Sequence, residues 1–308
     1  MTLRMNFYSG ARIDRASHIR ADVAWIRDRL LHPETRLVPV WQSQNLIRHG
    51  ERPSAGMPRV ADLPDIADRL GDGSQLALLG LVEGVPYFAF SVRDDDEELS
   101  SRFAPHGDFM GLRTVGSVLD DHEAALLAYA RGLMHWHSRS GFCSVCGHPT
   151  RSVAAGHLRV CTNERCGAEH HPRTDPAVIM LVSNGDQCLL GRQASWPRGM
   201  HSTLAGFVEP GESLEEAVVR EVFEESGIRV RNIRYHSSQP WPFPASIMIG
   251  FYAEADSTEI APVADELEAV GWYSRQWLKQ AHDELEFRLP PALSIARRLA
   301  DDWIGENI

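Results

Sequence analysis

Three glutamates lie close together in the stretch GFVEPGESLEEAVVREVFEESGI, residues 206–228. In a helix, Glu221, Glu224 and Glu225 would occupy positions i, i+3 and i+4, so their carboxylates would share one face. Three like charges destabilise a bare helix, whereas hard divalent cations take carboxylate oxygens as ligands. Arg220 is placed to pair with Glu224 and to orient such a ligand. These residues leave two interpretations open, an acidic helix face in solvent and a divalent-cation site.

The flanking residues predict the loop and the helix that would position these carboxylates. Pro210-Gly211 is a turn signal, and Ser213 with Glu216 three residues later forms a capping box that begins a helix. Gly227 is placed as the left-handed residue that ends it. Between these limits, a spacing of four gives one apolar stripe toward a core, formed by Leu214, Val218 and Val222.

Four of the five cysteines lie within 24 residues, as Cys143-x2-Cys146 and Cys161-x4-Cys166. The first residues of the chain lack a secretory hydrophobic region, so paired cysteines indicate a metal site before they indicate disulfides. Four thiolates on two turns predict a closed, structural Zn²⁺ site, with buried free thiols or a disulfide as the alternative. Cys188 stands apart in an apolar run and is expected to be a small core residue.

A stiff aromatic segment follows the predicted helix. Residues 238–246 read SQPWPFPAS, in which three prolines alternate with two aromatic residues. Prolines restrict the backbone of such a loop, and the rings offer flat apolar faces on which a base or a nicotinamide ring can stack. The alternative is a rigid structural loop with buried aromatic side chains.

Composition limits the class of protein. The chain has 308 residues, of which 43% are hydrophobic and 24% charged, and this globular composition excludes wholesale disorder. No run of about 18 apolar residues occurs, so no membrane span is expected. The formal net charge of −11 argues against non-specific binding to a nucleic-acid backbone. We expect three domains, an N-terminal α/β domain over residues 1–138, a zinc ribbon over 139–174 and a C-terminal domain over 175–308.

Two hairpins are expected from turn signals between apolar runs. Ala77–Val82 and Tyr87–Val92 flank Glu83-Gly84 in the N-terminal region. Asn184-Gly185 stands between two further apolar runs after the cysteine cluster, and Asn-Gly is the strongest short-range hairpin signal.

Residues 206–228 also resemble a known family signature. They match the Nudix box, G-x5-E-x7-R-E-U-x-E-E-x-G-U with U a bulky aliphatic residue, at every fixed position. The matching residues are Gly206, Glu212, Arg220, Glu221, Val222, Glu224, Glu225, Gly227 and Ile228. With the cysteine cluster before the box and SQPWPFPAS after it, the region 139–300 resembles the NADH pyrophosphatase, NudC-type, subfamily of Nudix hydrolases.

This resemblance implies a Nudix α/β/α sandwich with a mixed sheet over residues 175–308, preceded by the zinc ribbon and a mixed α/β domain. It implies metal-dependent hydrolysis of the pyrophosphate bond of NAD(H) to nicotinamide mononucleotide and AMP, and removal of NAD caps from RNA 5′ ends. It further implies about two to three Mg²⁺ or Mn²⁺ ions for catalysis and a structural Zn²⁺. A homodimer, a cytoplasmic location and no membrane partner complete the expectation.

Two alternatives remain open beside this function. One is a Nudix hydrolase of another nucleoside diphosphate derivative, such as ADP-ribose or a dinucleoside polyphosphate. The other is a non-catalytic module that senses a nucleotide. The complete set of box glutamates argues against the second, since a pseudoenzyme usually loses one of them.

The resemblance also assigns roles to single residues. The catalytic cation would be bound by Glu221, Glu224, Glu225, Glu266 and the backbone carbonyl of Ala205, with Glu224 and Glu225 taking part in catalysis. The zinc ligands would be Cys143, Cys146, Cys161 and Cys166. Phe207 would stack on the nicotinamide ring, and His171 would stack or donate a hydrogen bond. The rest of the substrate pocket would comprise Gln239, Pro240, Trp241, Pro242, Phe243, Pro244, Ala245, Ser246 and Ala296.

Overall fold

The structure, a computed structural model, describes residues 4–63, 66, 75–93, 95–263, 266–280 and 286–305. Its backbone contacts divide the chain into two compact units. The N-terminal unit comprises Tyr8–Thr174 and Trp241–Ala245, and the C-terminal unit comprises Met1–Phe7, Asp175–Pro240 and Ser246–Ile308. The domain boundaries expected from the sequence stay a prediction.

The N-terminal unit contains a mixed sheet of six strands. The strands are β1 (Arg36–Trp41), β2 (Gln44–Arg48), β3 (Ser54–Ala55), β4 (Leu76–Val82), β5 (Val85–Val92) and β6 (Asp108–Met110). Their order is β3-β2-β1-β5-β4, with β6 paired to β2 and the β1–β5 pair parallel. Strands β4 and β5 pair antiparallel around Glu83-Gly84, which confirms the predicted hairpin.

Helices accompany this sheet. They are α1 (Val23–Leu30), α2 (Glu97–Ser101), α3 (Leu112–Val115) and α4 (Asp121–Arg139). Helix α4 begins where the side chain of Asp120 accepts a hydrogen bond from the His122 N–H, and it packs against β1, β4 and β5. A second sheet in the same unit is antiparallel and contains β7 (Thr150–Val153), β8 (Leu158–Cys161) and β9 (Glu169–His170).

The C-terminal unit contains another mixed sheet. Its strands are β10 (Asp175–Asn184), β11 (Gln187–Arg192), β12 (Leu204–Phe207), β13 (Val230–Trp241), β14 (Ser246–Ala255) and β15 (Ala269–Ser274). The order is β13-β14-β10-β11-β15, with β12 paired to β10. The β10–β14 pair is parallel, and β10 runs antiparallel to both β11 and β12. The antiparallel partners Asn184 and Gln187 confirm the hairpin predicted at Asn184-Gly185.

Helices cover both faces of the β10 sheet. They are α5 (Leu214–Ser226), α6 (Arg275–Gln280) and α7 (Ile295–Ile304). Side chains of a strand alternate between two faces, so Val178 and Met180 pack with Val218 of α5, whereas Ile179 packs with Leu299 of α7. This arrangement confirms the α/β/α sandwich with a mixed sheet. Among the residues that the structure describes, no helix is both long enough and apolar enough to cross a membrane.

The aromatic segment differs from the expectation of a loop over residues 238–246. Strand β13 continues through Trp241, and β14 begins at Ser246, so only residues 242–245 form the turn. Pro240 lacks an N–H group, and a proline fits a strand mainly at the edge of a sheet. Strand β13 is the first in the sheet order, and this edge position allows Pro240 inside a strand.

Candidate active site

The loop and helix that carry the glutamates form as the sequence predicts. Ser213 is the N-cap of α5, with its hydroxyl accepting from the Glu216 N–H at 3.2 Å and the Glu216 carboxylate accepting from the Ser213 N–H at 2.7 Å. Gly227 ends the helix with a φ of 75°. The capping box fixes where α5 begins, and therefore which helix face carries Glu221, Glu224 and Glu225.

At Gly206, the backbone of β12 lies against the Glu221 side chain of α5. A Cβ atom added to Gly206 would come closer than 3.0 Å to the carboxyl carbon and to both carboxylate oxygens of Glu221. Glu221 is buried in this position, with its carboxylate against the glycine backbone. Only a glycine at position 206 leaves room for the Glu221 carboxylate. This steric requirement explains the glycine at the first position of the box.

Arg220 connects the loop with the glutamate face. Its Nη1 atom lies 2.8 Å from Glu221 Oε1 and 3.2 Å from Glu224 Oε2, and its Nη2 atom lies 2.6 Å from Glu212 Oε1. The same Nη2 group donates to the Phe207 carbonyl at 2.8 Å. The predicted pairing of Arg220 with Glu224 is confirmed, and the guanidinium orients three carboxylates at once. The hydrogen bonding from Arg220 to Glu212 is the main cause that lowers the pKa of Glu212.

Glu225 is the most deeply buried of the predicted cation ligands, with 3% of its surface exposed. It accepts a hydrogen bond from the backbone of Ala205, and its Oε2 atom has no hydrogen-bond partner among the described residues. The pKa of Glu225 is raised to about 8, mainly by burial and in addition by the charges of Glu221 and Glu266. A buried carboxylate oxygen without a partner is costly, and a cation bound there would remove the cost.

The other predicted cation ligands lie in the same region of the C-terminal unit. Glu266 is exposed and acts electrostatically on both Glu221 and Glu225. Ala205 lies in β12 opposite Ile179 of β10. The set offers only oxygen donors, carboxylates with one backbone carbonyl, and this chemistry fits Mg²⁺ or Mn²⁺. The assignment of these residues as ligands stays a prediction.

The four cysteines of the N-terminal unit lie together, and this confirms the predicted cluster. Their sulfur atoms all lie within 4.8 Å of one another, with Cys143 and Cys166 at 3.8 Å and Cys146 and Cys161 at 3.4 Å. A tetrahedral Zn²⁺ site with Zn–S bonds of about 2.3 Å needs sulfur atoms about 3.8 Å apart. Among the described residues, this is the one group of three or more His, Cys, Asp or Glu side chains whose ligand atoms all lie this close to one another. The donor set and its spacing fit structural zinc.

Two glycine turns bring the cysteines together. Gly147 and Gly167 have φ values of 75° and 57°, in the left-handed region that glycine adopts without strain. The Asn163 carbonyl accepts from the N–H groups of Cys166 and Gly167, both at 2.9 Å. A turn at residues 163–167 therefore brings Cys161 and Cys166 together despite the longer spacing of this pair.

Predicted substrate residues of the C-terminal unit differ widely in exposure. Phe207 ends β12 and has 61% of its surface exposed, so its ring is available for stacking. Gln239, Ser246 and Ala296 are buried. The Ala296 N–H donates to the Ser294 hydroxyl that caps α7. Pro240 is half-buried in β13.

The remaining predicted substrate residues lie in the N-terminal unit. Arg131 of α4 donates from Nε to the Pro242 carbonyl at 2.7 Å. The guanidinium carbons of Arg131 and Arg113 lie 5.1 and 5.2 Å from the centre of the Phe243 ring, and Tyr8 contacts this ring edge-on. Cation–π contacts of this kind add to the packing of the turn.

Three residues of this unit complete the predicted set. Trp241 contacts Phe243 edge-on, Pro244 is exposed and Ala245 is half-buried. His171 is exposed, with Nε2 at 3.9 Å from a Glu169 oxygen. The predicted substrate residues thus fall in both units, and their role in binding stays a prediction.

Sequence reasoning missed the residues that support the aromatic segment. Arg131 and Pro242 are 111 positions apart, and Asn6 hydrogen-bonds to Ser238 across 232 positions. Neither pair leaves a periodic or spaced pattern in the sequence. No signal in a single sequence identifies them.

Comparison with known proteins first defines the class. Residues 173–293, which include the mixed sheet of the C-terminal unit and the glutamate helix, match the family model of the NUDIX domain. Residues 138–170 match the NADH pyrophosphatase zinc ribbon domain, and residues 34–136 match the NADH pyrophosphatase-like rudimentary NUDIX domain.

Relatives that match more than nine-tenths of this chain then identify the family more closely. The chain is 34% identical over 346 residues to the NAD-capped RNA hydrolase NUDT12 of Macaca fascicularis, covering 98% of this chain and 74% of that protein. It is 36% identical over 305 residues to the NAD-capped RNA hydrolase NudC of Mycobacterium bovis (strain BCG / Pasteur 1173P2), covering 94% and 92%. The chain belongs to the NADH pyrophosphatase, NudC-type, family of Nudix hydrolases. A crystal structure of a NUDIX hydrolase from Nitrosomonas europaea also matches, with 23% identity and a TM-score of 0.39, over 48% of this chain and 96% of that one.

Proposed function

We propose that this chain hydrolyses the pyrophosphate bond of NAD(H), which gives nicotinamide mononucleotide and AMP, and that it cleaves the same bond in NAD-capped RNA. The observation that carries the proposal is the glutamate face of α5, on which the buried Oε2 atom of Glu225 has no hydrogen-bond partner in the part of the chain that the structure describes. The relatives named as NAD-capped RNA hydrolases support this choice of substrate.

Glu221, Glu224, Glu225 and Glu266, with the Ala205 carbonyl, are the proposed ligands of catalytic Mg²⁺ or Mn²⁺. Such a cation, when bound, offsets the charge on the pyrophosphate oxygens and lowers the pKa of a bound water. Without this positive charge, the acidic face would repel a substrate that is itself an anion.

The side chains around the carboxylates have distinct proposed roles. Arg220 keeps Glu221 and Glu224 in fixed orientations through its hydrogen bonds at 2.8 and 3.2 Å. Glu224 and Glu225 are the proposed acceptors of the proton that the attacking water loses. The exposed ring of Phe207 is the proposed stacking surface for the nicotinamide.

We infer also that the working form is a cytoplasmic homodimer. The five cysteines are free thiols and four of them are gathered for a metal, an arrangement that suits a reducing compartment. The dimer is inferred from the family resemblance. Light scattering on the zinc-loaded protein would detect it as a particle of twice the 34.4 kDa chain mass, and a monomer at working concentration would contradict it.

A side-by-side product analysis tests the function. The protein is incubated with NADH, NAD⁺, ADP-ribose or NAD-capped RNA, with Mg²⁺ or Mn²⁺, and the products are separated chromatographically. We expect AMP and nicotinamide mononucleotide from the reduced or oxidised dinucleotide. ADP-ribose cleaved far faster than NADH would favour the alternative substrate class, and no cleavage of any substrate would favour the nucleotide-sensing module.

Isosteric variants connect that activity to the site. We expect Glu225→Gln and Glu224→Gln each to abolish turnover while the zinc content and the free energy of unfolding stay near those of the wild type. Glu215→Gln is the matched control, since Glu215 is an exposed glutamate in the first turn of the same helix. Full activity in both site variants would refute the assignment of the cation site.

A further inference from the structure

The first described residues of the chain, Arg4–Phe7, form a strap that belongs to the C-terminal unit. Within this strap, Asn6 is buried and its amide group makes three hydrogen bonds. Nδ2 donates to the Ser238 carbonyl at 2.8 Å and to the Ser237 hydroxyl at 3.0 Å, and Oδ1 accepts from Arg298 Nη1 at 2.8 Å. Asn6 therefore connects β13 with α7 and uses both amide hydrogens in doing so.

Gln239 of β13 makes a similar connection, to the start of α7 and to the strap. It has 1% of its surface exposed. Nε2 donates to the Leu293 carbonyl at 2.7 Å and to the Phe7 carbonyl at 3.2 Å, and Oε1 accepts from the Ile295 N–H at 2.8 Å. Both amide hydrogens are again used inside the protein. A donated hydrogen bond from Gln239 to a substrate would leave a buried carbonyl without its partner, which costs about 1–3 kcal/mol.

The strap is also attached independently of these two amides. Arg298 Nη1 donates to the Arg4 carbonyl at 2.8 Å, and Arg4 Nη1 lies 2.8 Å from Asp302 Oδ1. Asp302 is buried and pairs in addition with His236 at 3.1 Å. Removing the donors of Asn6 alone therefore leaves the strap tied to α7.

We propose that Asn6 and Gln239 are positioning residues for the dinucleotide. They hold the backbone of Ser238–Pro240 against the start of α7. Two predicted substrate residues of the C-terminal unit lie at this junction, Pro240 in β13 and Ala296 in α7. Both are then already ordered when NAD(H) binds, so the ordering cost of binding is lower. Gln239 acts through this backbone and does not contact the substrate with its own side chain. The inference rests on the proposed function, because it takes NAD(H) as the ligand.

Two isosteric variants test the proposal in the full-length, zinc-loaded protein. Asn6→Asp keeps the Oδ1 acceptor for Arg298 and removes both donors to β13. Gln239→Glu keeps the acceptor for the Ile295 N–H and removes the donors to Phe7 and Leu293. Arg4→Ala is the control, because it removes the outer ion pair of the strap and leaves both amides unchanged.

Steady-state kinetics with NADH and Mg²⁺ separate positioning from stability. Loss of one or two such hydrogen bonds should raise KM for NADH about five- to tenfold in each isosteric variant, with kcat within about twofold of the wild type. Arg4→Ala should keep the wild-type KM. A purely structural role would lower the folded fraction and hence the apparent kcat, while KM stayed constant.

The outcomes distinguish failure of this inference from failure of the proposed function. A folded isosteric variant with wild-type KM would overturn this inference and leave the proposed function intact. Equal kinetic changes in Arg4→Ala would also overturn it, since the strap would then act only as a structural anchor. If the wild type itself does not cleave NADH, the proposed function and this inference fall together.

Discussion

Replacing Gly206 by alanine perturbs the glutamate face at a single, defined point. The φ angle of Gly206 lies outside the left-handed region, so the backbone accepts an alanine without torsional strain. The new Cβ atom would instead overlap the carboxyl group of Glu221, closer than 3.0 Å to three of its atoms. Glu221 has to move, because all three of the nearest atoms belong to its carboxyl group.

The size of the effect follows from that overlap. Ordinary contacts between such atoms begin near 3.4 Å, so the carboxylate has to retreat by at least about 1 Å. A misplacement of about 1 Å in a catalytic arrangement costs about 100-fold in rate, or about 2.7 kcal/mol of transition-state stabilisation. The cost to folding should be smaller, about 1–2 kcal/mol, because the unbranched glutamate side chain can shift to another rotamer.

The assay measures kcat for NADH at saturating Mg²⁺, the Mg²⁺ concentration at half-maximal rate, and unfolding in urea. Gly206→Ala should lower kcat about 100-fold and shift the Mg²⁺ dependence to higher concentration. Gly271→Ala in β15 is the control from the same unit, because its Cβ would meet the Tyr273 ring at an ordinary 3.6 Å. We expect its kcat to stay within about twofold of the wild type.

Retention of wild-type kcat and Mg²⁺ dependence in Gly206→Ala would refute the reasoning, since Glu221 would then not need its present position. A similar loss in Gly271→Ala would show that any added methyl group disturbs the enzyme. Circular dichroism of both variants at the assay temperature confirms that each comparison is made on folded protein.

Three further predictions concern stability and zinc. Gly227→Ala should lower the free energy of unfolding in urea by about 2 kcal/mol or more, because φ is 75° and the Cβ would overlap the Ala261 carbonyl. Cys143→Ser should release the structural zinc, measured as metal per chain by mass spectrometry, and should destabilise the N-terminal unit. His137 and His157 have pKa values lowered from 6.5 to about 4, mainly by burial. The unfolded chain therefore binds more protons below pH 6.5, and unfolding at pH 5 should be easier than at pH 7 by about 2 kcal/mol for each histidine.

Each of these has a result that would contradict it. An unchanged urea midpoint in Gly227→Ala would mean that the end of α5 rearranges at no cost. Full zinc content in Cys143→Ser would place the metal elsewhere. For the histidines, His137→Gln keeps a neutral polar side chain, so its loss of stability between pH 7 and pH 5 should be about half that of the wild type. An identical pH dependence in both proteins would show that other groups cause the acid effect.

Local signals account for what the sequence predicted. The capping box of Ser213, the left-handed Gly227 and the hairpin at Asn184-Gly185 each depend on a few adjacent residues, and each is present in the structure. The cysteine cluster could be predicted for the same reason, because two short turns bring the thiols together. The Nudix box is a longer signal, spread over residues 206–228. Gly206 gives a physical reason for one of its fixed positions, since only glycine leaves room for the Glu221 carboxylate.

Long-range contacts account for what the sequence did not predict. The prolines of the aromatic segment favoured a loop, but the position of β13 at the sheet edge allows Pro240 to remain in a strand. The hydrogen bonds of Arg131 to Pro242 and of Asn6 to Ser238 join residues more than 100 positions apart. Such pairs depend on how whole elements pack, and this packing is not encoded in any short window of residues.

The strap also has a consequence for the order of events during synthesis on the ribosome. Asn6 and Arg4 emerge before their partners Ser237 and Asp302, which follow 231 and 298 positions later. Pairing across so many residues carries a high loop-closure cost and forms late. Residues Tyr8–Thr174 can begin to fold in the meantime, whereas the strap has to wait for α7 to leave the ribosome exit tunnel. A strap mutant should therefore slow the last step of maturation, in which Arg4–Phe7 pack against β13 and α7.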